Sequence, residues 1–142
     1  MYTSDECPPK TVLVVDDEPM ITRWVSSVLE SRGYRVRTAL NFGEYKALAA
    51  DRSAVPDVVI FDLQFGAHNG FTMWLDRNQA FPDAAWIPCS GYISDQLLEQ
   101  MKLERSVVLE KPFSGQRLLQ VIELALTNQA QNNHAKPVYR EA

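Results

Sequence analysis

Val58-Val59-Ile60-Phe61-Asp62 decides how this chain is read. Four apolar residues run straight into one carboxylate. A continuous apolar run of that length, bounded by Pro56-Asp57, predicts a strand over 57–61 buried on both faces. Open α/β sheets bind ligands at the carboxyl ends of their strands, and that is where Asp62 stands. Two further runs have the same form. Val12-Leu13-Val14-Val15 leads into Asp16-Asp17, and Val107-Val108-Leu109-Glu110 leads into Lys111-Pro112. If these strands are parallel neighbours, three carboxylates and one ammonium share a pocket.

Working outward, helix-forming stretches separate the strands. Pro19 suits the first turn of a helix whose Ile21, Val25, Val28 and Leu29 recur at helical spacing, with Gly33 at its end. Tyr34–Thr38 is the second strand. Arg32, Arg35 and Arg37 around it mark a protected sheet edge in preference to a phosphate or nucleic-acid patch. Asn41 caps a helix to about Asp51, with Phe42, Tyr45, Leu48 and Ala49 facing inward. Leu63–Asn69 is expected as a loop. Residues 70–81 form a helix with Phe71, Trp74 and Leu75 on one face.

Ala85–Cys89 is the fourth strand. Pro88 inside it removes a ladder donor, so a local irregularity is expected there. Ser94 or Asp95 opens the next helix, which carries Leu97, Leu98 and Met101. Ser106–Leu109 is the last strand. Ser114 caps a final helix with Leu118, Val121, Ile122 and Ala125 inward. Residues 1–10 form a polar lead-in, 11–127 one domain and 128–142 a polar tail. Five strands alternating with helices predict a parallel sheet between two helical layers.

The chain has 142 residues, 46% of them apolar, and a net charge of −4. That length suits one domain with a real core, and the composition excludes wholesale disorder. The acidic balance argues against a nucleic-acid module. Cys7 and Cys89 are too few for a disulfide framework and fit reduced thiols. No stretch approaches the ~20 apolar residues of a membrane span, and the start is no signal peptide. The expected location is the cytoplasm.

Asp16, Asp17 and Asp62 gathered in one place repel one another. At an effective dielectric of ~20, two unit charges ~4 Å apart repel by about 4 kcal/mol. Lys111 offsets part of this, and a divalent cation would offset more. Hard oxygen ligands suit Mg²⁺, and the absence of His or Cys from the cluster argues against zinc. A carboxylate is also a nucleophile toward phosphorus. Lys111 can hold a phosphoryl oxygen as a point charge, and Ser90 can donate to another.

With those residues in place, the chain resembles a receiver domain of the two-component response regulator family, over about 10–127. The acid pair Asp16-Asp17, Asp62, Gly70 eight residues later, Ser90 and Lys111-Pro112 carry the resemblance. It implies a flavodoxin-like fold, a five-stranded parallel sheet in the order 2-1-3-4-5 with helices on both faces. It implies that Asp62 accepts a phosphoryl group from a phosphohistidine on a sensor histidine kinase or a histidine phosphotransfer protein. Asp17, Asp62 and the backbone carbonyl of Gln64 would hold Mg²⁺, and Asp16 would act through a metal-bound water. The bond before Pro112 would be cis. Gln64 and Tyr92 would tune dephosphorylation, Tyr92 as a shield over the phosphoryl group. Met20, Trp24 and Phe113, with Ser114 beside them, would meet a docking partner, rim packing being the alternative for Trp24.

Three positions depart from the family pattern. Val108 stands where the family carries an aromatic switch residue, and valine lacks such rotamer freedom. Gly66 replaces the common proline and loosens its loop. Gly91 replaces the common alanine. The expected role is a switch of protein contacts, without enzymatic action on other substrates. A receiver segment of a hybrid histidine kinase is the alternative. An aspartate-nucleophile phosphatase would want acids at alternate positions after the first strand, and here they are adjacent. A nucleotide-binding flavodoxin-like protein would want a glycine-rich phosphate loop there, and none follows.

Overall fold

The computed structural model describes residues 8–65 and 68–135. Five strands form the main sheet: β1 (Thr11–Val15), β2 (Arg35–Ala39), β3 (Val58–Asp62), β4 (Ala85–Ser90) and β5 (Leu109–Glu110). All pair in parallel, in the order β2-β1-β3-β4-β5. The helices are α1 (Pro19–Glu30), α2 (Phe42–Ala50), α3 (Gly70–Leu75), α4 (Arg77–Ala80), α5 (Asp95–Met101) and α6 (Gly115–Ala135).

Alternation along each strand divides the core into two layers. Val12 and Val14 of β1, Val58 and Ile60 of β3, and Ala85, Ile87 and Cys89 of β4 pack against Val25 and Leu29 of α1 and Leu118, Val121 and Ile122 of α6. Leu13, Val15, Val59, Phe61 and Trp86 turn to the other face. There they meet Tyr45 of α2, Met73 and Trp74 of α3, and Leu98 and Met101 of α5. Every residue of β3 is buried, as its unbroken apolar run requires. Phe61 stacks on Trp74 at 6.1 Å and meets Trp86 edge-on at 5.4 Å. Each such buried side chain is worth roughly 1.5–3 kcal/mol of transfer free energy. β2, with its exposed Arg35, lies at the sheet edge.

Local chemistry sets the helix ends. Asn41 accepts the Glu44 N–H at 2.8 Å, and Glu44 reaches back to the Leu40 N–H at 2.7 Å. Ser94 and Ser114 cap α5 and α6 through the N–H groups of Leu97 and Arg117, both at 3.0 Å. Gly33, at φ +88°, follows the end of α1 two residues beyond its Ser31 cap, one position later than the usual glycine cap.

Several boundaries differ from the sequence expectation. β2 begins at Arg35 and β3 ends on Asp62 itself. The expected loop contains a short antiparallel hairpin, Gln64–Phe65 against His68–Asn69. The helix expected over 70–81 is split at Asp76. The Asp76 N–H closes back on the carbonyls of Thr72 and Met73, and Arg77 Nη1 donates to the Trp74 carbonyl at 2.7 Å, satisfying an end group of α3. Leu75 is consequently exposed, and Met73 takes the inward place.

The last strand is also shorter than expected. Arg105–Val107 forms a 3₁₀ turn, leaving only Leu109–Glu110 in the sheet. Pro88 accounts for part of this. Ala85 N–H and Cys89 C=O bond toward β3, while Ser90 C=O accepts from Lys111 on the β5 side. Pro88 shares the β5-facing side with Ser90, so its missing donor falls where β5 has not yet joined the ladder. β4 itself runs through Pro88 in unbroken register with β3.

Cys89 is a buried free thiol, its pKa pushed up to about 12 by burial. α6 continues to Ala135, through the first residues of the stretch set apart as a tail. Cys7, Gly66 and residues 136–142 lie outside the described residues. Among the described residues, no helix is long and apolar enough to cross a membrane.

Candidate functional site

Three strand ends converge at one rim. Asp16 follows β1, and its N–H donates to the Ala39 carbonyl at 3.1 Å. Asp62 closes β3, paired with Cys89 in register. Lys111 follows β5, its N–H on the Ser90 carbonyl at 2.7 Å. The ligand oxygens of Asp16, Asp17 and Asp62 lie within 4.8 Å of one another. Asp16 and Asp62 are buried, and Asp17 is exposed on the open side.

Lys111 Nζ bridges the two buried acids. It donates to Asp16 Oδ2 at 2.9 Å and to Asp62 Oδ2 at 3.1 Å, and more distantly to Glu18 Oε1 at 3.4 Å. The second oxygens are held by backbone. Asp16 Oδ1 accepts the Glu18 N–H, and Asp62 Oδ1 accepts the Gln64 N–H, both at 2.9 Å.

The electrostatics are lopsided. Burial weighs against the charge of Lys111, but the hydrogen bond and field of Asp16, then those of Asp62, outweigh it and hold the ammonium above the usual lysine value. Burial pushes the Asp16 carboxyl up. Lys111 and the Glu18 N–H pull it back only in part, and Asp62 pushes it further. One lysine is shared among several carboxylates, so negative charge is left over. Three hard carboxylate donors within reach of one point, one of them open to solvent, fit a hydrated Mg²⁺. Gln64 fits as well. Leu63 accepts the Gly70 N–H, so the next pair of the hairpin, Gln64 with Asn69, is a non-bonded one, and the backbone groups of Gln64 turn away from it.

Gly70 supports the site from behind. A Cβ there would stand 2.3 Å from the Asp62 carbonyl oxygen and 2.6 Å from Leu63 Cα. Only glycine lets the start of α3 approach the backbone that carries Asp62.

Ser90 is buried at the same rim. Its Oγ donates to the Tyr92 carbonyl at 3.2 Å and accepts the Tyr92 N–H at 3.4 Å. These are long bonds, readily exchanged for a better acceptor. The Tyr92 side chain is 75% exposed. Val108 is buried in the core layer of Leu98 and Met101, where an aromatic ring was absent from the sequence. Gly91 has open space around it.

The Lys111–Pro112 peptide is cis. Phe113 follows, its ring 5.7 Å from that of Trp24. Ile21, Trp24, Lys111, Pro112 and Phe113 line an apolar hollow of about 470 Å³ beside the acids. Met20 is 80% exposed and Trp24 41%. The structure thus brings Asp16, Asp17, Asp62 and Lys111 together, with Ser90 and Gln64 at the same rim. Met20, Trp24 and Phe113 lie on an adjoining surface, and Tyr92 points outward.

One residue of the site was not singled out from sequence. Glu18 enters the lysine's shell, and its signal was a third acid directly after the pair, held at the start of α1 by Pro19.

Comparison with known proteins places this geometry. The response regulator receiver domain profile matches residues 12–123, so the chain belongs to that family of two-component signalling domains. It is similar to the sensor kinase CckA of Brucella abortus (strain 2308), 28% identical over 120 residues, covering 84% of this chain and 13% of the kinase's length. Among solved structures it is similar to a CheY-like response regulator receiver domain protein from Methanospirillum hungatei JF-1, with TM-score 0.75, 24% identity, and 87% of this chain and 98% of that one covered. It is also similar to a response regulator protein from Burkholderia pseudomallei solved with a phosphorylated aspartic acid, a calcium ion and citrate. That match has TM-score 0.69, 29% identity, and 91% and 76% coverage.

Proposed function

We propose that Asp62 is the phosphoacceptor of a Mg²⁺-dependent switch. The observation that carries this reading is the bridge from Lys111 Nζ to Asp16 and Asp62, within an acid cluster that one lysine does not neutralise. An Asp62 oxygen attacks the phosphorus of a phosphohistidine. A P–O bond forms, the P–N bond breaks, and the imidazole leaves with the electron pair and takes up a proton. Asp17, Asp62 and the Gln64 carbonyl, with Asp16 through a water, would hold Mg²⁺, which would supply charge neutralisation for the phosphoryl oxygens.

This chain's own residues do the rest. Lys111 holds one phosphoryl oxygen. Ser90 exchanges its long bond to the Tyr92 carbonyl for a bond to another, and so moves the segment after β4. Val108 takes no part in an aromatic swing, so output runs through the segment from Ser90 to Tyr92. In that moved segment Tyr92 turns over the phosphoryl group and, with Gln64, slows its hydrolysis. A phosphoprotein lifetime unchanged in Tyr92→Ala removes that element.

The donor is a sensor histidine kinase or a histidine phosphotransfer protein, docking on Met20, Trp24 and Phe113. The exposed Met20 and the hollow beside Lys111 support that surface. The domain acts in the cytoplasm, contacts neither nucleic acid nor membrane directly, and catalyses only its own phosphorylation and dephosphorylation. The likeness to CckA favours a second reading, that of a receiver segment within a hybrid kinase.

Intact-mass spectrometry after incubation with Mg²⁺ and acetyl phosphate tests the core of this. Wild type is expected to gain one phosphoryl group and Asp62→Asn none. Equal incorporation into the variant would falsify the assignment.

A further inference from the structure

Glu18 belongs to the rim but has no part in the proposed transfer. Its backbone is pinned. The Glu18 N–H donates to Asp16 Oδ1 at 2.9 Å, its carbonyl accepts the N–H groups of Ile21 and Thr22, both at 3.1 Å, and Pro19 fixes the turn that follows. Its side chain forms no cap on α1. It reaches Lys111 Nζ instead, at 3.4 Å.

The Lys111 ammonium has three N–H groups, and carboxylates of Asp16, Asp62 and Glu18 stand around it at 2.9, 3.1 and 3.4 Å. A phosphoryl oxygen takes one of those bonds only if a carboxylate gives it up. Asp16 and Asp62 are buried, and an unpaired buried carboxylate is costly. The Glu18 side chain is 62% exposed and returns to water at little cost. Glu18 is therefore the partner exchanged. Its backbone stays tied to Asp16, so its charge remains within a Debye length of the phosphoryl group.

In-line displacement puts the donor's leaving group opposite Asp62, on the open side of the rim, where Glu18 also lies. From an acyl phosphate a carboxylate leaves with the electron pair of the P–O bond, and negative charge builds beside Glu18. In a P–N donor with a protonated nitrogen, the cationic nitrogen takes the electron pair of the P–N bond and leaves neutral.

Taking Asp62 as the phosphoacceptor, we infer that Glu18 is a specificity residue, selecting donors with a cationic nitrogen leaving group over anionic acyl phosphates. Its carboxylate attracts the first kind and repels the second.

Wild type, Glu18→Gln and Glu30→Gln are incubated at neutral pH with Mg²⁺ and either phosphoramidate, whose nitrogen is protonated, or acetyl phosphate. Second-order incorporation rates are read by intact mass. Glu18→Gln should lower the ratio of the phosphoramidate rate to the acetyl phosphate rate about fivefold, chiefly by raising the latter. NaCl near ~1 M should shrink that change to under about twofold. Glu30→Gln removes the same charge at the far end of α1, roughly 18 Å away, and should leave the ratio unchanged. A purely structural role for Glu18 slows both donors alike and leaves the ratio where it was. An unchanged ratio in Glu18→Gln, or an equal fall in Glu30→Gln, would overturn the inference while leaving Asp62 as phosphoacceptor. No incorporation into wild type from either donor would overturn both.

Discussion

Lys111 and Arg105 each face a group of carboxylates, at two different places on the molecule. Lys111 meets Asp16 and Asp62 at the rim, with Glu18 farther off. Arg105 meets Asp95 and Glu110 on the outer surface near β5. Both cations are outnumbered. What differs is water. The Asp16 and Asp62 side chains are 5% and 9% exposed, whereas those of Asp95 and Glu110 are 94% and 43% exposed. An excess of charge is screened at the surface and persists at the rim. Burial, not the number of ion pairs, makes one cluster a site and the other ornament on the fold.

The largest expected effect comes from removing the buried cation. Lys111→Met leaves two buried carboxylates facing each other and, on the proposed function, takes away a ligand for the phosphoryl group. Phosphoryl incorporation from acetyl phosphate should slow by at least about 100-fold. The rate is read from intact mass against time, at saturating Mg²⁺. Arg105→Met should leave that rate at the wild-type value. Similar losses in the two variants would erase the distinction between the clusters.

The rim also depends on what lies behind it, and two glycines measure that. Gly70→Ala forces a Cβ into the backbone at Asp62 and Leu63, and should destabilise the fold by about 3 kcal/mol. Gly91→Ala meets open space and should change stability by less than about 0.5 kcal/mol. Urea midpoints of the two variants give both numbers. A Gly70→Ala protein as stable as wild type would mean that the start of α3 does not brace the acids.

Excess charge at the rim should also appear as metal-linked stability. At Mg²⁺ near ten times its dissociation constant, mass action adds about 1.4 kcal/mol, or roughly 3–5 °C in melting temperature. Asp17→Asn should lose most of that gain, because the open-side carboxylate is gone. Melts with NaCl at matched ionic strength separate binding from screening. An equal Mg²⁺ shift in wild type and Asp17→Asn would place the metal elsewhere.

Much of this rim was legible from residues 58–62 and the two runs that echo them. A fully buried strand has no polar interruption, so the end of β3 is marked by its first charge, and strand ends of this kind meet where their strands are parallel neighbours. The sheet order came by resemblance, since periodicity does not say which strands are neighbours. The parts that were not legible have tertiary causes. Helix 70–81 reads as continuous because Arg77 looks like any solvent-facing residue. Its bond to the Trp74 carbonyl exists only once that tryptophan is seated against Phe61. Ser106–Leu109 reads as a strand because two valines favour one. Its pairing fails where the neighbouring strand offers Pro88 in place of an N–H donor. Gly70 was visible as a matched position, while the 2.3 Å approach that demands it belongs to the folded backbone.

The smallest expected effect tests the other arm of the comparison. Arg105 donates to Asp95 and to the Ile93 carbonyl and pairs with Glu110, which on paper ties α5 to β5. Its hydrogen bond to Asp95 favours the charged guanidinium, yet both partners stay in water and the ordering of a long side chain offsets much of the attraction. Arg105→Gln should therefore shift the melting temperature by less than about 2 °C, and raising the salt should abolish even that difference. Calorimetry at low and high NaCl makes the measurement. A large, salt-resistant loss would show that the α5–β5 face is held by charge after all. It would also mean that exposure is the wrong criterion for telling these two clusters apart.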